Sequence, residues 1–132
     1  VRKIADTGFI VALLSQQDHY AAWARAEAQR NDPPWYTCEG AVVEAGYLTG
    51  RPAAVLGLVR AGLLVIDFAR RDHASEIARL CQTYQGRMDM VDACVLRMTE
   101  LYRNCCVWTV DETDFSIYRR FRDQPIPCAF PP

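Results

Sequence analysis

Lysine is nearly absent from this chain: of its 15 basic residues only Lys3 is not arginine. Aspartyl phosphotransfer on a parallel sheet needs a late lysine, yet none follows Lys3, and Asp6 is followed two residues on by Gly8 rather than by a second aspartate. Histidine is also scarce. His19 and His73 are the only two, and no Gly-x-Ser-x-Gly elbow occurs, which weakens any Ser/Cys-His nucleophilic hydrolase. There is no glycine-rich phosphate loop and no Cys-x-x-Cys pair, so neither a nucleotide cradle nor a small zinc site is supported. The longest apolar runs are interrupted by Arg, Asp or Gln before the ~20 residues that a membrane span requires.

No stretch reads as a secretory leader, and the chain, opening at Val1, is expected to follow an initiator residue or a few leading residues. A cytoplasmic protein is the expectation. Its cysteines (Cys38, Cys81, Cys94, Cys105, Cys106 and Cys128) are then reduced, Cys81 and Cys94 at apolar positions of predicted helices, Cys105 and Cys106 opening a predicted strand.

With 132 residues, 51% hydrophobic and 23% charged, the chain has the size and composition to bury its own core as a single domain over 1–132. The net charge of −1 decides nothing about nucleic acid. Arginine forks suit phosphate, but a drift in base composition would enrich arginine equally well.

A short strand is predicted at Val1 to Ala5, then a helix at Phe9 to Leu14 behind Asp6 and Thr7, and a second helix from His19 to Arg30 behind Asp18. Asn31-Asp32-Pro33-Pro34 stops it. Trp35 to Cys38 reads as strand and Glu39 to Leu48 as helix; Pro52 opens another helix through Arg60, and Leu63 to Phe68 is a buried strand. Asp72 is the expected cap of a helix from His73 to Tyr84, and Asp89 of one from Met90 to Tyr102. Cys105 to Val110 is the last predicted strand, followed by a helix from Asp111 to Phe121 and a proline-rich tail. Strands alternating with helices imply an α/β fold with a mainly parallel sheet covered on both faces, and such sheets carry their sites at the carboxyl ends of the strands.

Asp6 and Asp111 fall there, directly after the first and last predicted strands. Each also reads as a helix N-cap, and Asp92, three residues after Asp89, reads as part of a capping box. Glu44 stands among Val42, Val43, Ala45 and Gly46, where burial without compensation is costly. A metal or an arginine answers it, or it sits at the helix margin. Acids that converge while charged repel one another, so a group of three or four suits a hard divalent cation, Mg²⁺ or Mn²⁺, and metal-assisted hydrolysis.

Four segments carry a resemblance that spans essentially the whole chain. IADTGFIVALL, with Asp6 and its polar neighbour Thr7, resembles the first signature of the PIN-domain family; AVVEAGYL, with Glu44, is similar to the second. MDMVDACVLRMTE places Asp92 as the third acid with Asp89 as cap, and WTVDETDFSIYR resembles the Thr-x-Asp-x-x-Asp-Phe ending, in which Thr109 precedes Asp111 as the fourth acid and Asp114 is accessory. QQDHYAAW also resembles a subgroup with an Asp-His element, but His19 takes no assigned part.

The resemblance, to VapC-like toxins in particular, implies a PIN-like three-layer α/β/α sandwich and a ribonuclease that cuts RNA phosphodiesters with one or two Mg²⁺ or Mn²⁺ ions held by Asp6, Glu44, Asp92 and Asp111. It also implies a VapB-like antitoxin as partner, and a homodimer for which Trp23, Tyr47 and Leu48 offer apolar surface. The alternative is a non-catalytic PIN-fold module that binds RNA or a partner protein.

Overall fold

The computed structural model describes all residues from Val1 to Pro132. In chain order, the elements are β1 (Arg2–Ala5), α1 (Thr7–Leu14), α2 (Ala21–Arg30), β2 (Trp35–Thr37), α3 (Glu39–Thr49), α4 (Pro52–Arg60) and β3 (Leu64–Ile66). A 3-10 turn (Arg70–His73) leads into α5 (Ala74–Thr83), then α6 (Met90–Leu101), β4 (Cys105–Trp108), α7 (Glu112–Ile117), β5 (Arg119–Arg120), β6 (Gln124–Pro125) and β7 (Cys128–Ala129).

Five strands form one sheet in the order β3-β2-β1-β4-β7, with every pairing parallel. The chain steps outward from β1 to β3 and then jumps back past β1 to β4. Right-handed crossovers therefore send the first helices to one face and the later ones to the other: α1 to α4 pack among themselves, and α5 packs on α6. This is the expected three-layer PIN-like α/β/α sandwich. The reversal of strand order falls between β1 and β4, where the carboxyl ends of neighbouring strands diverge into different layers and leave a crevice.

A single apolar cluster fills the space between the layers, including Ile4, Phe9, Leu96, Val107 and Phe115. An aromatic chain knits the sheet to the first layer: within the sheet Trp35 meets Trp108 edge-on at 4.7 Å between ring centroids, Phe9 of α1 meets Trp35 at 4.7 Å, and Trp23 of α2 meets Phe9 at 5.6 Å. Trp23 is thus half-buried packing rather than free surface, whereas Tyr47 and Leu48 are exposed as anticipated.

Several elements differ from the sequence reading. Asp72 is not a helix cap, because it lies inside the 3-10 turn, and α5 starts only after His73. Asp18 accepts a hydrogen bond from the Tyr20 N–H at 2.8 Å, a local turn that delays α2 to Ala21. The third strand is confined to Leu64–Ile66, and α7 ends at Ile117, beyond which β5 and β6 form an antiparallel hairpin turned by Phe121 and Arg122 at positive φ. The proline-rich tail supplies a strand. Proline keeps its carbonyl, and Pro127 O accepts from the Val107 N–H at 2.9 Å, which suits an edge strand.

Candidate metal centre

Asp6 leaves β1 with its backbone N–H still bonded to Trp108 O at 3.0 Å, so the β1–β4 pairing runs directly into the crevice. Its Oδ1 accepts from the Thr7 N–H at 2.9 Å and its Oδ2 from the Thr109 hydroxyl at 2.8 Å. Thr109 is fully buried and its Oγ1 also accepts from the Asp111 N–H at 3.1 Å, so one threonine ties the acid after β1 to the acid after β4. Gly8 makes this approach possible. A Cβ at that position would collide with Val110 Cγ2, so only glycine lets α1 start against the segment between Thr109 and Asp111.

Asp111 caps α7 by accepting from the Asp114 N–H at 3.0 Å, and Asp89 caps α6 by accepting from the Asp92 N–H at 2.8 Å. Asp89 in the capping role leaves the Asp92 carboxylate free to face inward. Its Oδ2 accepts from the hydroxyl of the fully buried Tyr118 at 2.7 Å. Oxygens of Asp92, Asp111 and Asp114 all lie within 4.8 Å of one another. Asp114 thus lies beside Asp92 and Asp111, and Arg87 pairs with it at 2.6 Å.

Asp6 and Glu44 stand outside that tight trio but within its field. Burial raises the Asp6 carboxyl to about 6, the Thr109 and Thr7 hydrogen bonds oppose the rise, and the charges of Asp111 and Glu44 add to it. Asp92 is pushed up to about 7, again chiefly by burial, against the Tyr118 hydrogen bond and with the charges of Asp89, Asp6 and Asp111 adding. Asp111 is raised by burial and by its neighbour Asp114, and the Tyr118 hydroxyl is raised by burial and by Asp92. Glu44 is half-buried on α3 and makes no hydrogen bond or ion pair with an arginine; of the alternatives left by the sequence, it takes the helix margin, turned toward Asp6 closely enough to perturb it.

Four separate segments thus bring Asp6, Glu44, Asp92 and Asp111 into one electrostatic group. The donor set fits a hard divalent cation. It is all oxygen, its members resist ionising together, and a cation would reverse that resistance. Thr7 Oγ1, buried beside Asp6 without a partner, is a further oxygen at the same end of the sheet.

Three contributors had no sequence signal strong enough to single them out. Tyr118 is an aromatic in an amphipathic stretch, Arg87 one arginine among many, and Gly8 a glycine in an apolar helix. Only the last carries a readable oddity, since glycine inside a helix is unfavourable unless something approaches closely.

The fold defines a class. It is a PIN-like α/β/α domain with an acid crevice at the strand-order reversal. Among solved structures, the chain is similar to the crystal structure of VapC20 of Mycobacterium tuberculosis, described as a Sarcin-Ricin loop cleaving toxin, with a TM-score of 0.71 over 80% of this chain and 86% of that one at 14% identity. No family model matches the sequence and no curated protein matches it. At that identity, the likeness establishes the fold. No helix is long and apolar enough to cross a membrane.

Proposed function

We propose that the chain is a single PIN-like domain of the VapC type, a metal-dependent endoribonuclease that hydrolyses RNA phosphodiesters and acts as the toxin of a VapBC-type pair in the cytoplasm. The observation that carries this reading is the convergence of Asp6, Glu44, Asp92 and Asp111 at the crevice between β1 and β4, with Asp6 held near 6 and Asp92 near 7 by burial and mutual repulsion. Carboxylates shifted this far are poised for a cation.

A bound Mg²⁺ or Mn²⁺ would neutralise phosphate charge and acidify the attacking water. Asp6, Asp92 and Asp111 are the residues to hold it, with Glu44 at the margin and Asp114 available when Arg87 releases it. Thr109 ties the Asp6 carboxylate to the Asp111 backbone N–H. Tyr118 orients Asp92, and Asp89 keeps the start of α6 capped so that Asp92 does not have to.

A VapB-like antitoxin would block the crevice most simply by presenting an arginine to these acids. For the homodimer, the exposed side chains of Val43, Tyr47, Leu48 and Leu56 on α3 and α4 offer an apolar face; a species of single-chain mass in light scattering at micromolar concentration would argue against it.

The decisive experiment is a Mn²⁺ and Mg²⁺ titration of the purified protein, reading its melting temperature and its cleavage of a structured RNA together. Stabilisation with cleavage supports the nuclease. If millimolar metal neither raises the melting temperature nor permits cleavage, the non-catalytic module is the better reading.

A further inference from the structure

Beside the acid crevice, over the carboxyl ends of β2 and β3, lies a cleft of about 620 Å³. Its floor is apolar and rich in sulfur, with Cys38, Phe68, Ile77 and Cys94 all buried. Arg70 and Arg71 stand exposed on its lining, and neither guanidinium makes a hydrogen bond within the chain; Arg71 has only a 3.9 Å contact with its neighbour Asp72. Glu39 is the one carboxylate on the lining, set against those two cations.

The cleft and the acid centre share walls. Met90, the first residue of α6, lines the cleft two residues before Asp92, and Gly40 lines it one helical turn before Glu44 on α3. A Cβ on Gly40 would come within 3.1 Å of Val91 Cγ2, so glycine lets the starts of α3 and α6 approach closely. The charges of Asp89 and Asp92 reach Cys81, and those of Arg70 and Asp89 reach Cys94, so the sulfur floor lies within the field of both the acids and Arg70.

We propose that this cleft receives one unstacked nucleobase of the RNA next to the scissile phosphate, with Arg70 and Arg71 holding the adjoining backbone phosphate. The inference rests on the ribonuclease reading of the acid centre and adds the part of the site that grips the substrate. The chemistry is complementary. Base faces gain dispersion against an apolar, polarisable floor, guanidiniums match phosphate or stack on a base edge, and single-stranded RNA is recognised through bases splayed from their stack. The volume lies within the range of small-ligand sites. An apolar peptide would use the floor but leave both guanidiniums without a counter-charge.

The test is a titration of the ¹⁵N-labelled, metal-free protein with AMP, CMP, GMP and UMP, and with ribose 5-phosphate as the base-free control, following the backbone amides from Phe68 to Cys81. At least one nucleotide should shift these amides and bind at least about tenfold more tightly than ribose 5-phosphate, given the usual gain from stacking one base. Ala78 is exposed and lines the cleft, so Ala78→Trp fills it without entering the core and should abolish the response, with an unchanged melting temperature as control. The double variant Arg70→Ala/Arg71→Ala should weaken binding and flatten its salt dependence.

No shift with any nucleotide, equal binding of ribose 5-phosphate, or binding of apolar peptides in place of nucleotides would overturn the proposal. The two readings fail separately. Wild-type RNA cleavage that Ala78→Trp leaves unchanged removes the base pocket and spares the nuclease, whereas nucleotide binding by a protein that never cleaves RNA spares the pocket and removes the nuclease.

Discussion

The two ends of β1 handle charge in opposite ways. At its start, the Arg2 guanidinium lies between the rings of Tyr36 and Tyr102, 3.6 and 3.7 Å from their centroids, and pairs with Asp67. At its end, Asp6 is 7% exposed and meets only neutral donors and other acids. A chain so rich in arginine could have placed one against Asp6, Glu44 or Asp92, but the single ion pair at this end is Arg87 with Asp114. Uncompensated buried charge is costly. The fold answers the charge at one end of the strand and leaves the carboxylates at the other without a counter-charge.

That contrast breaks most sharply on substitution of the acids. Asp6→Asn and Asp92→Asn keep the shape and most hydrogen-bonding capacity while removing a negative ligand. Mn²⁺-dependent cleavage of a structured RNA should fall on the order of 100-fold or more, as expected when metal-assisted chemistry loses a ligand. The melting temperature of the metal-free protein should hold or rise. Undiminished cleavage by both variants would reduce these aspartates to structural caps.

A smaller effect is expected at Tyr118, whose hydroxyl donates to Asp92 at 2.7 Å. Tyr118→Phe should lower the cleavage rate about tenfold and cost about 1 kcal/mol of stability, the usual worth of one hydrogen bond. The pH profile separates orientation from packing. The hydroxyl holds the Asp92 pKa down, so its loss should move the acidic limb of the rate profile to higher pH. An unmoved limb would make Tyr118 a packing residue only.

The same contrast explains what the sequence could reveal. Strands β1 and β4 and helices α1, α3 and α6 were legible because β-branched runs, capping residues and apolar stripes agree with their final state. The position of each acid after a strand or in a first turn followed from them. What stayed hidden depends on distant partners. Nothing local marks Tyr118 as the donor to Asp92, or Asp114 as a neighbour of Asp92, since α6 and α7 meet only through the tertiary fold. The proline-rich tail carried no strand signal, because proline argues against a strand, while the edge position that tolerates it is a property of the finished sheet. The Asp72 cap failed for the opposite reason: a local signal was overruled by the turn that carries Arg70 and Arg71 to the rim of the cleft.

The charge left at the crevice should also be visible in stability. Asp6 ionises near 6 in the folded protein and near 3.8 when unexposed to burial, so between those values the native state binds more protons than the unfolded chain. Stability therefore falls as pH rises from about 4 to 6, and to about 7 for Asp92, and the full penalty persists above that. For Asp6 alone it is on the order of 1–3 kcal/mol. Other carboxylates titrate too, so the quantity to measure is the melting-temperature difference between Asp6→Asn and wild type, both without metal. It should be larger at pH 8 than at pH 5, and Mn²⁺ at pH 8 should shrink it by stabilising the wild type. A difference independent of pH would mean that Asp6 is not held uncompensated.

The mildest test acts at the other end of β1. Arg2→Met keeps much of the side chain's length and apolar contact with Tyr36 and Tyr102 while deleting the charge that answers Asp67. The loss should be about 1–2 kcal/mol, the range of a partly desolvated cation–π contact, with cleavage unchanged because no catalytic candidate touches Arg2. Asp67→Asn should cost less than Arg2→Met, since the two rings still hold the guanidinium. Chemical denaturation of the two variants and their double mutant would give the coupling between charge and counter-charge. If Arg2→Met lowered cleavage as strongly as Asp6→Asn without unfolding the protein, the strand would be transmitting between its ends, and the division of β1 into a closed structural end and an open chemical one would be wrong.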